Sequence, residues 1–313
     1  MELYEIIRSN YDIEPIIKIE KTKNGSGNTY FIETIGEKYI AKVNERMDFV
    51  YVYDKVQNIL KQMDFLQSSI IKSNNGEIMT SEGIVLYQVI DGENYTTLSK
   101  NQSKNAIKYI REYNKALRLV PFNNEELEIK NHWDKAKSMY FIINDFPNYL
   151  NALEIGIENK KNIYDVISIL SNNMTKVIEA KKQLIHSDLG ADNFIFKKDK
   201  VISVIDFTPE YNHELYSLCQ FIYWNYLWNA ENINIEAIDN YFRLYNFDDN
   251  FNTEKELFNL MLLNSALYRL AGPLIDSFNR SIKDYSRFKK RFFILSELLR
   301  NYKYSLRMGE MQW

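Results

Sequence analysis

One short segment of this chain, residues 184–207, constrains both its fold and its chemistry. It reads LIHSDLGADNFIFKKDKVISVIDF. Asp188 and Asn193 lie five positions apart, and Asp206 follows two apolar runs. A positioned carboxylate can accept the proton of a hydroxyl group. An amide and a further carboxylate supply the oxygen ligands that Mg²⁺ prefers. The segment therefore predicts Mg²⁺-assisted chemistry between a phosphate ester and a hydroxyl, with Asp188 as the base.

The two apolar runs predict a β-hairpin that brings these groups together. Residues 194–196 form a short apolar run, and residues 201–205 alternate in the manner of a strand with one buried face. The KKDK sequence between the runs is polar and typical of a turn. Asn193 enters the first strand and Asp206 leaves the second, so we expect both at the same end of the hairpin.

The alternative is that these polar residues only shape turns, since Asp and Asn are common in loops. The combination of His186, Asp188, Asn193 and Asp206 between apolar strands favours the catalytic interpretation. For His186 we expect an architectural role, packing and hydrogen-bonding the loop. Its near-neutral intrinsic pKa would also permit acid–base work.

The segment resembles the catalytic loop of the aminoglycoside phosphotransferase and choline kinase-like superfamily of small-molecule kinases. These proteins carry HxDxxxxN followed by IDF or IDW, whereas protein kinases usually have Arg in place of Ser187 and DFG in place of Asp206 to Thr208. The resemblance implies an α+β, protein kinase-like fold of two lobes. We predict a β-rich nucleotide-binding lobe at residues 1–92 and a mainly helical lobe at residues 93–313.

The resemblance also implies the reaction and its cofactors. The chain would transfer the γ-phosphoryl group of ATP or GTP to a hydroxyl of a small molecule, such as an aminoglycoside-like antibiotic, an amino alcohol or a sugar. Asp188 would be the base, and Asn193 and Asp206 would bind Mg²⁺. Acceptor identity, the choice between ATP and GTP, and oligomeric state stay open.

Nucleotide-binding residues are predicted upstream of this segment. The stretch KNGSGNTY resembles the superfamily's nucleotide loop, and it assigns Ser26, Gly27 and Asn28 to the phosphates. Lys42, in the strand-like KYIAKV, falls where a kinase lysine pairs with the phosphates. Backbone groups from Gln88 to Ile90 would face the adenine or guanine ring. The alternative for the KNGSGNTY stretch is an ordinary hairpin turn, and the alternative for Lys42 is a solvated strand lysine.

The remaining elements are read from hydrophobic periodicity. One predicted helical face is formed by Ile107, Ile110, Tyr113 and Leu117. The coarse prediction is a helix at 1–9, strands to 44, a helix at 50–63, a strand pair from 74–76 to about 90, helices from 102 and over 162–182, and helical structure from 214 onward. Within the last region, a buried helix would run from 254 to its closure at Gly272 and Pro273.

The sequence departs from the family pattern at three places, and the first two support an alternative, a kinase-like binding or scaffold protein with little catalysis. The retained Asp188, Asn193 and Asp206 argue against that alternative. The helix after Lys42 has no Glu, so either Asp54 or Glu45 replaces it or the ion pair is absent. Ser217 stands where the family often has an Asp that braces the catalytic loop, and Glu214 is a candidate to compensate. Glu210 would add an acid near the metals. A protein kinase is disfavoured by Ser187, by Thr208 and by the absence of an APE-like segment.

Composition narrows the partners. The net charge of −3 gives no basic footprint for nucleic acid or an anionic membrane. The sequence has no apolar run long enough to span a bilayer and no signal-peptide pattern, and its one cysteine predicts no disulfide. We therefore expect a cytoplasmic enzyme. The aromatic run FIYWNYLW at 221–228 offers rings for a quaternary ammonium group, although helical packing is the stronger interpretation.

Overall fold

The computed structural model describes residues 3–22, 28–246 and 251–310, and within them an antiparallel sheet forms the first part of the chain. Its strands are β1 (Ile16–Lys21), β2 (Thr29–Thr34), β3 (Lys38–Val43), β4 (Ile70–Ile71) and β5 (Ile84–Gln88), in the order β1-β2-β3-β5-β4. Alternation along the strands sends Ile32, Ala41 and Leu86 into a core shared with the short helix α1 (Leu3–Asn10).

Helix α2 (Met47–Gln62) joins this sheet to the helical part. Its apolar stripe, including Val56 and Leu60, packs with Val85 of β5 and with Leu117 of α3 (Lys100–Leu117). Ser99 and Gln102 form a capping box at the start of α3. The predicted face of α3 is confirmed, because its four apolar residues are all buried.

Helices build most of the remaining chain, around the largest apolar core. They are α4 (His132–Ala136), α5 (Met139–Asn144), α6 (Phe146–Ala152), α7 (Ile157–Asn172), α8 (Met174–Glu179), α9 (Glu214–Ile222), α10 (Ile235–Tyr245), α11 (Phe251–Asn279) and α12 (Lys289–Glu310). A π-helical turn (Tyr223–Leu227) continues α9. The expected combination of a β-rich N-terminal part and a helical C-terminal part is confirmed.

Two small antiparallel pairs lie between α8 and α9. Strand β6 (Gln183–His186) pairs with β9 (Pro209–Asn212), and β7 (Phe194–Lys197) pairs with β8 (Lys200–Val204). The second pair is the predicted hairpin, so that prediction is confirmed. The backbone of Glu93 exchanges hydrogen bonds with Phe196 of β7. The division into lobes at residues 92 and 93 stays a prediction.

Three element boundaries differ from the sequence prediction. The expected strand at 74–76 is a turn with Gly76 at φ +81°, and the strand lies at Ile70–Ile71 instead. The expected helix over 162–182 is α7 and α8, separated at Asn173, followed by β6.

The third difference is that α11 runs through Gly272 and Pro273 instead of ending there. Pro273 has no N–H to donate to the carbonyl of Arg269 one turn earlier. The Arg291 guanidinium donates to that carbonyl in its place. A Cβ on Gly272 would lie 2.4 Å from the Trp133 ring, so glycine lets α4 pack closely on this helix. None of the helices in the described ranges combines the length and apolarity required to cross a membrane.

Candidate functional site

The loop that carries Asp188 connects β6 of the β6–β9 pair to β7 of the β7–β8 hairpin. The Asp188 N–H donates to His186 Nδ1 at 3.1 Å, and the Asn193 Nδ2 donates to the Asp188 carbonyl at 2.8 Å. The Ile205 N–H donates to the Asn193 carbonyl at 2.9 Å. These bonds fix the loop at both ends and bring Asp206, the second residue after β8, next to it.

His186 is the internal support of this loop. Its side chain is buried, with 1% exposed, and burial lowers the pKa of the imidazole below its usual value. Since Nδ1 accepts from Asp188, the neutral ring carries its proton on Nε2, which donates to the Ile205 carbonyl at 3.2 Å. The ring also meets Phe207 edge-on at 5.2 Å between centroids. The expected packing and hydrogen-bonding of the loop by His186 is confirmed.

Lys42 and Asp206 form an ion pair across the cleft, with Nζ 2.5 Å from Oδ1. Burial by itself would lower the pKa of Lys42, but the carboxylates of Asp206 and Glu45 outweigh it and raise that pKa. Burial would raise the pKa of Asp206, and the Lys42 ammonium group instead holds it below its usual range. The Asp206 side chain is still 53% exposed, so the pair faces solvent on one side.

Asp206 also has an unusual backbone conformation. Its φ of +57° lies in the left-handed region, which is uncommon for residues with a side chain and is best tolerated by Asn and Asp. The conformation turns the chain sharply after β8. Backbone outliers of this kind cluster at functional sites, where the surrounding structure enforces them.

The acid that accompanies Lys42 is Glu45 and not Asp54. Burial raises the pKa of Glu45, the charge of Lys42 opposes this shift, and Asp206 adds to it, which places all three groups within electrostatic reach. The Asp54 carboxylate accepts a hydrogen bond from Gln57 at 2.7 Å. Of the two alternatives left open by the sequence, only Glu45 interacts with Lys42 in the described residues.

The predicted nucleotide residues have mixed outcomes. Ser26 and Gly27 lie outside the described residues. Asn28 precedes β2, and its carbonyl accepts the Val43 N–H at 2.9 Å. The Gln88 N–H donates to Ser69 and its carbonyl accepts from Ser68 Oγ, both within the sheet edge, and its assignment to the base stays a prediction.

Ile90 lies two residues beyond β5, and its backbone N–H and carbonyl are the groups assigned to the base. No hydrogen bond to its backbone is recorded among the described residues, in contrast to Gln88. The assignment of both residues, Gln88 and Ile90, to the base stays a prediction.

The catalytic loop has two supports that the sequence did not reveal, Asn225 and Arg269. Asn225, in the π-helical turn, donates to the Leu189 carbonyl at 2.9 Å. Arg269 Nη2 lies 3.4 Å from the Ser187 carbonyl and 3.5 Å from Asp188 Oδ1. The two residues therefore hold the chain on either side of Asp188. One signal was available, since Arg269 is the only charged residue between Glu256 and Asp276 in an apolar helix.

The residues expected to brace the loop or approach the metals make contacts with other parts of the protein. Ser217 Oγ donates to Asn114 at 3.3 Å, and Glu214 pairs with Arg118 at 2.9 Å, so neither contacts the loop. Glu210 is buried on β9, and its carboxylate lies 3.6 Å from Lys137. Among the described contacts Glu214 therefore does not brace the loop, whereas the expectation that Glu210 lies near the metals stays a prediction.

The sequence of this folded unit matches a family model described as the phosphotransferase enzyme family, over residues 18–209. That range includes most of β1, all of β2 to β8, Lys42 and the predicted catalytic loop through Asp206, and it exceeds half of the chain. The chain belongs to this family. The membership confirms the predicted superfamily and the predicted class of enzyme, a phosphotransferase. A search among curated proteins found no match.

Several solved structures of kinases share the fold. Choline kinase LicA from Streptococcus pneumoniae superposes with a TM-score of 0.63 at 14% identity, covering 96% of this chain and 98% of that one. Amicoumacin kinase hAmiN gives a TM-score of 0.66 at 13% identity, covering 96% and 94%. Spectinomycin phosphotransferase gives 0.61 at 15%, covering 95% and 96%. At these identities the likeness establishes the fold alone.

Proposed function

We propose that this protein transfers the γ-phosphoryl group of ATP or GTP to a hydroxyl of a small molecule, with Mg²⁺ bound at the site. The observation that carries the proposal is the convergence of Lys42, Asp188, Asn193 and Asp206 at one cleft. Lys42 comes from a strand of the large sheet and Asp188 from a loop. Asn193 and Asp206 flank the β7–β8 hairpin, one before its first strand and one after its second. The ion pair and the hydrogen bonds described above join these residues.

The donor set suits a magnesium ion held mainly by substrate phosphates. Mg²⁺ usually binds through one or two carboxylates plus phosphate oxygens. The described residues hold no group of three His, Cys, Asp or Glu side chains that would form an all-protein metal site. Asp206 offers a half-exposed carboxylate, and Asn193 offers Oδ1, because its Nδ2 is engaged with the Asp188 carbonyl. When bound, Mg²⁺ would supply charge neutralisation for the phosphates.

Each protein group has a step to perform in the proposed reaction. Lys42 would pair with phosphate oxygens, and residues 26–28 would cover them. The Asp188 carboxylate, held by its loop bonds, would orient the acceptor hydroxyl and accept its proton as the oxygen attacks phosphorus. The nucleoside diphosphate is then the leaving group. Positioning and charge stabilisation provide most of the catalysis in phosphoryl transfer.

Similar structures support nucleotide use. The amicoumacin kinase structure contains AMP-PNP, Ca²⁺ and its substrate, and a spectinomycin phosphotransferase structure contains AMP. Because these proteins are distant in sequence, their acceptors do not identify the acceptor here. The aminoglycoside, amino alcohol and sugar classes stay as candidates. We retain the expectation of a cytoplasmic protein as part of the same proposal.

The direct test is release of ADP or GDP in the presence of Mg²⁺ across a panel of hydroxyl compounds. Asp188→Asn should lower turnover on the accepted compound by about 100-fold or more. Asp192→Asn, in the same loop but exposed, is the matched control and should keep turnover near that of the wild type. Equal turnover in the wild type and Asp188→Asn would reject the proposed base. Binding of nucleotide with no turnover in any protein would favour the kinase-like binding protein.

A further inference from the structure

Three aromatic rings near the catalytic loop are already covered by two cations of the protein itself. The Arg269 guanidinium lies 4.7 Å from the Trp224 ring centroid and 5.3 Å from that of Tyr268. The Arg291 guanidinium lies 5.2 Å from the Trp228 centroid. Aromatic faces recognise quaternary ammonium ligands only when the face is open to the ligand. The indoles that the sequence offered for such a ligand are therefore occupied by guanidinium groups.

Arg269 is fixed in this position by several independent contacts. Its Nε and Nη2 both donate to Gln220 Oε1, at 2.9 and 2.6 Å, and Gln220 is held in turn by Ser265 at 2.9 Å. Its backbone carbonyl, released by Pro273, is bound by Arg291. The Arg269 side chain is only 14% exposed. Moving it off the Trp224 ring would break buried hydrogen bonds, so a competing cation does not displace it easily.

The carboxylates of Asp188 and Glu210 already have cationic partners within the protein. Burial raises the pKa of Tyr268, and the charges of four groups act on it as well: Lys137, Arg269, Glu210 and Asp188. They form two opposite-charge pairs, Arg269 with Asp188 at 3.5 Å and Lys137 with Glu210 at 3.6 Å. A cationic acceptor would meet two fixed cations here and no unpaired carboxylate among these groups. Like charges brought together in a cleft reduce affinity strongly.

We infer that Arg269 determines the charge class of the acceptor, and that the acceptor carries a neutral or anionic oxygen-rich group, and no ammonium group, next to the reacting hydroxyl. This inference rests on the proposed function for the identity of the reaction. The guanidinium beside Asp188 would donate hydrogen bonds to hydroxyl, carbonyl or carboxylate oxygens of such an acceptor. The same guanidinium would repel choline, ethanolamine and the amino groups of aminoglycosides.

The first test measures binding and needs no turnover. Tetramethylammonium chloride is titrated against the protein while tryptophan fluorescence is followed, with sodium chloride at equal ionic strength as the reference. We expect no saturable quenching in the wild type and saturable quenching in Arg269→Ala, where the Trp224 face is uncovered. The signal in Arg269→Ala should disappear in Arg269→Ala combined with Trp224→Phe. Saturable binding to the wild type that is lost in Trp224→Phe would overturn the inference.

The second test compares acceptors that differ only in charge. Choline is paired with its uncharged isostere, in which carbon replaces nitrogen, and ethanolamine is paired with ethylene glycol. We expect the wild type to favour the uncharged member by about ten-fold or more in kcat/KM. Arg269→Gln should reduce this preference by about ten-fold, whereas Arg300→Gln, on an exposed side chain, should leave it unchanged. Preference of the wild type for the cationic member would overturn the inference.

Different results would reject the proposed function and the proposed charge preference of the acceptor site. Absence of Mg²⁺-dependent nucleotide binding and of turnover on every acceptor would reject the proposed function, while the tetramethylammonium titration would still decide whether the aromatic site excludes cations. Efficient turnover on choline or an aminoglycoside would support the proposed function and overturn the charge assignment. Thermal unfolding of each variant shows whether Arg269 substitutions leave the fold intact.

Discussion

Lys42 on β3 and Asp206 after β8 form one ion pair, with 2.5 Å between Nζ and Oδ1, although 164 positions separate them in the sequence. The pair joins the large sheet to the catalytic hairpin. It also places the proposed phosphate-binding cation against the proposed metal ligand. The ion pair therefore sets side by side the two residues that we propose to bind nucleotide and Mg²⁺.

Substitution of Lys42 by Met should weaken nucleotide binding. The variant loses a charge-assisted contact to phosphate, so we expect the Kd to rise by about ten-fold or more. Lys38→Met is the matched control, because Lys38 lies on the same strand with an exposed side chain. Isothermal titration calorimetry with a non-hydrolysable nucleotide measures both variants. Equal affinities for Lys42→Met and Lys38→Met would contradict the assigned role.

Asp206→Asn should abolish the Mg²⁺-dependent part of nucleotide binding while keeping the fold. Asparagine tolerates the φ of +57° at this position, so the substitution removes the charge without imposing a new backbone strain. We expect the Kd of the wild type to fall on addition of Mg²⁺ and the Kd of Asp206→Asn to stay nearly constant. An unchanged Mg²⁺ effect in the variant would remove Asp206 from the metal site.

His186 should make the free energy of unfolding depend on pH below neutrality. Its folded pKa is lowered by burial, so the unfolded chain binds a proton first as the pH falls through about 6.5. The stabilising contribution of the neutral ring is complete above that pH and is lost progressively below it. Urea unfolding between roughly pH 8 and pH 5.5 should show a smaller decline in His186→Gln than in the wild type. Equal declines in the free energy of unfolding of the wild type and His186→Gln would show that His186 does not contribute to the pH dependence.

Arg46, just before α2, links α2 to the segment around α4. It donates to both oxygens of Asp134, at 2.9 and 2.8 Å, and to Asp48, whose side chain is 4% exposed. Removal of the guanidinium leaves the buried Asp48 carboxylate with a weaker set of partners.

We therefore expect Arg46→Ala to lower the free energy of unfolding by about 3 kcal/mol. The control is Lys55→Ala, whose pair with Glu126 is exposed and should contribute less than about 1 kcal/mol. Urea denaturation of both variants gives the comparison. A loss for Arg46→Ala no larger than for Lys55→Ala would mean that this cluster does not stabilise the fold.

The sequence predicted those parts of the site in which chemistry and spacing are local. Asp188, Asn193 and Asp206 lie on one hairpin and its flanking loop, so alternation and a turn signal were enough to place them together. The face of α3 was equally predictable from the 3.6-residue period. Lys42 required the family resemblance, since its pairing with Asp206 depends on how the sheet packs against the hairpin.

The supports that were not predicted depend on tertiary packing. Arg269 reaches the catalytic loop from a helix 81 positions away from Asp188, and Asn225 does so through a π-helical turn that hydrophobic periodicity does not reveal. The continuation of α11 past Pro273 depends on Arg291, which supplies a hydrogen bond that no local rule provides. The commitment of the Gln88 backbone to Ser68 and Ser69 likewise follows from how β4 and its preceding loop dock at the sheet edge.

We propose above that this protein transfers phosphoryl to a small-molecule hydroxyl with Asp188 as the base. The most direct measurement follows a nucleotide whose γ-phosphoryl carries oxygen-18, incubated with Mg²⁺ and a pool of hydroxyl compounds, with the products identified by mass spectrometry. We expect a labelled phosphate ester of one acceptor class with the wild type and with Asp192→Asn, and none above background with Asp188→Asn. Label found only in nucleotide or inorganic phosphate, or equal transfer by Asp188→Asn, would contradict this proposal.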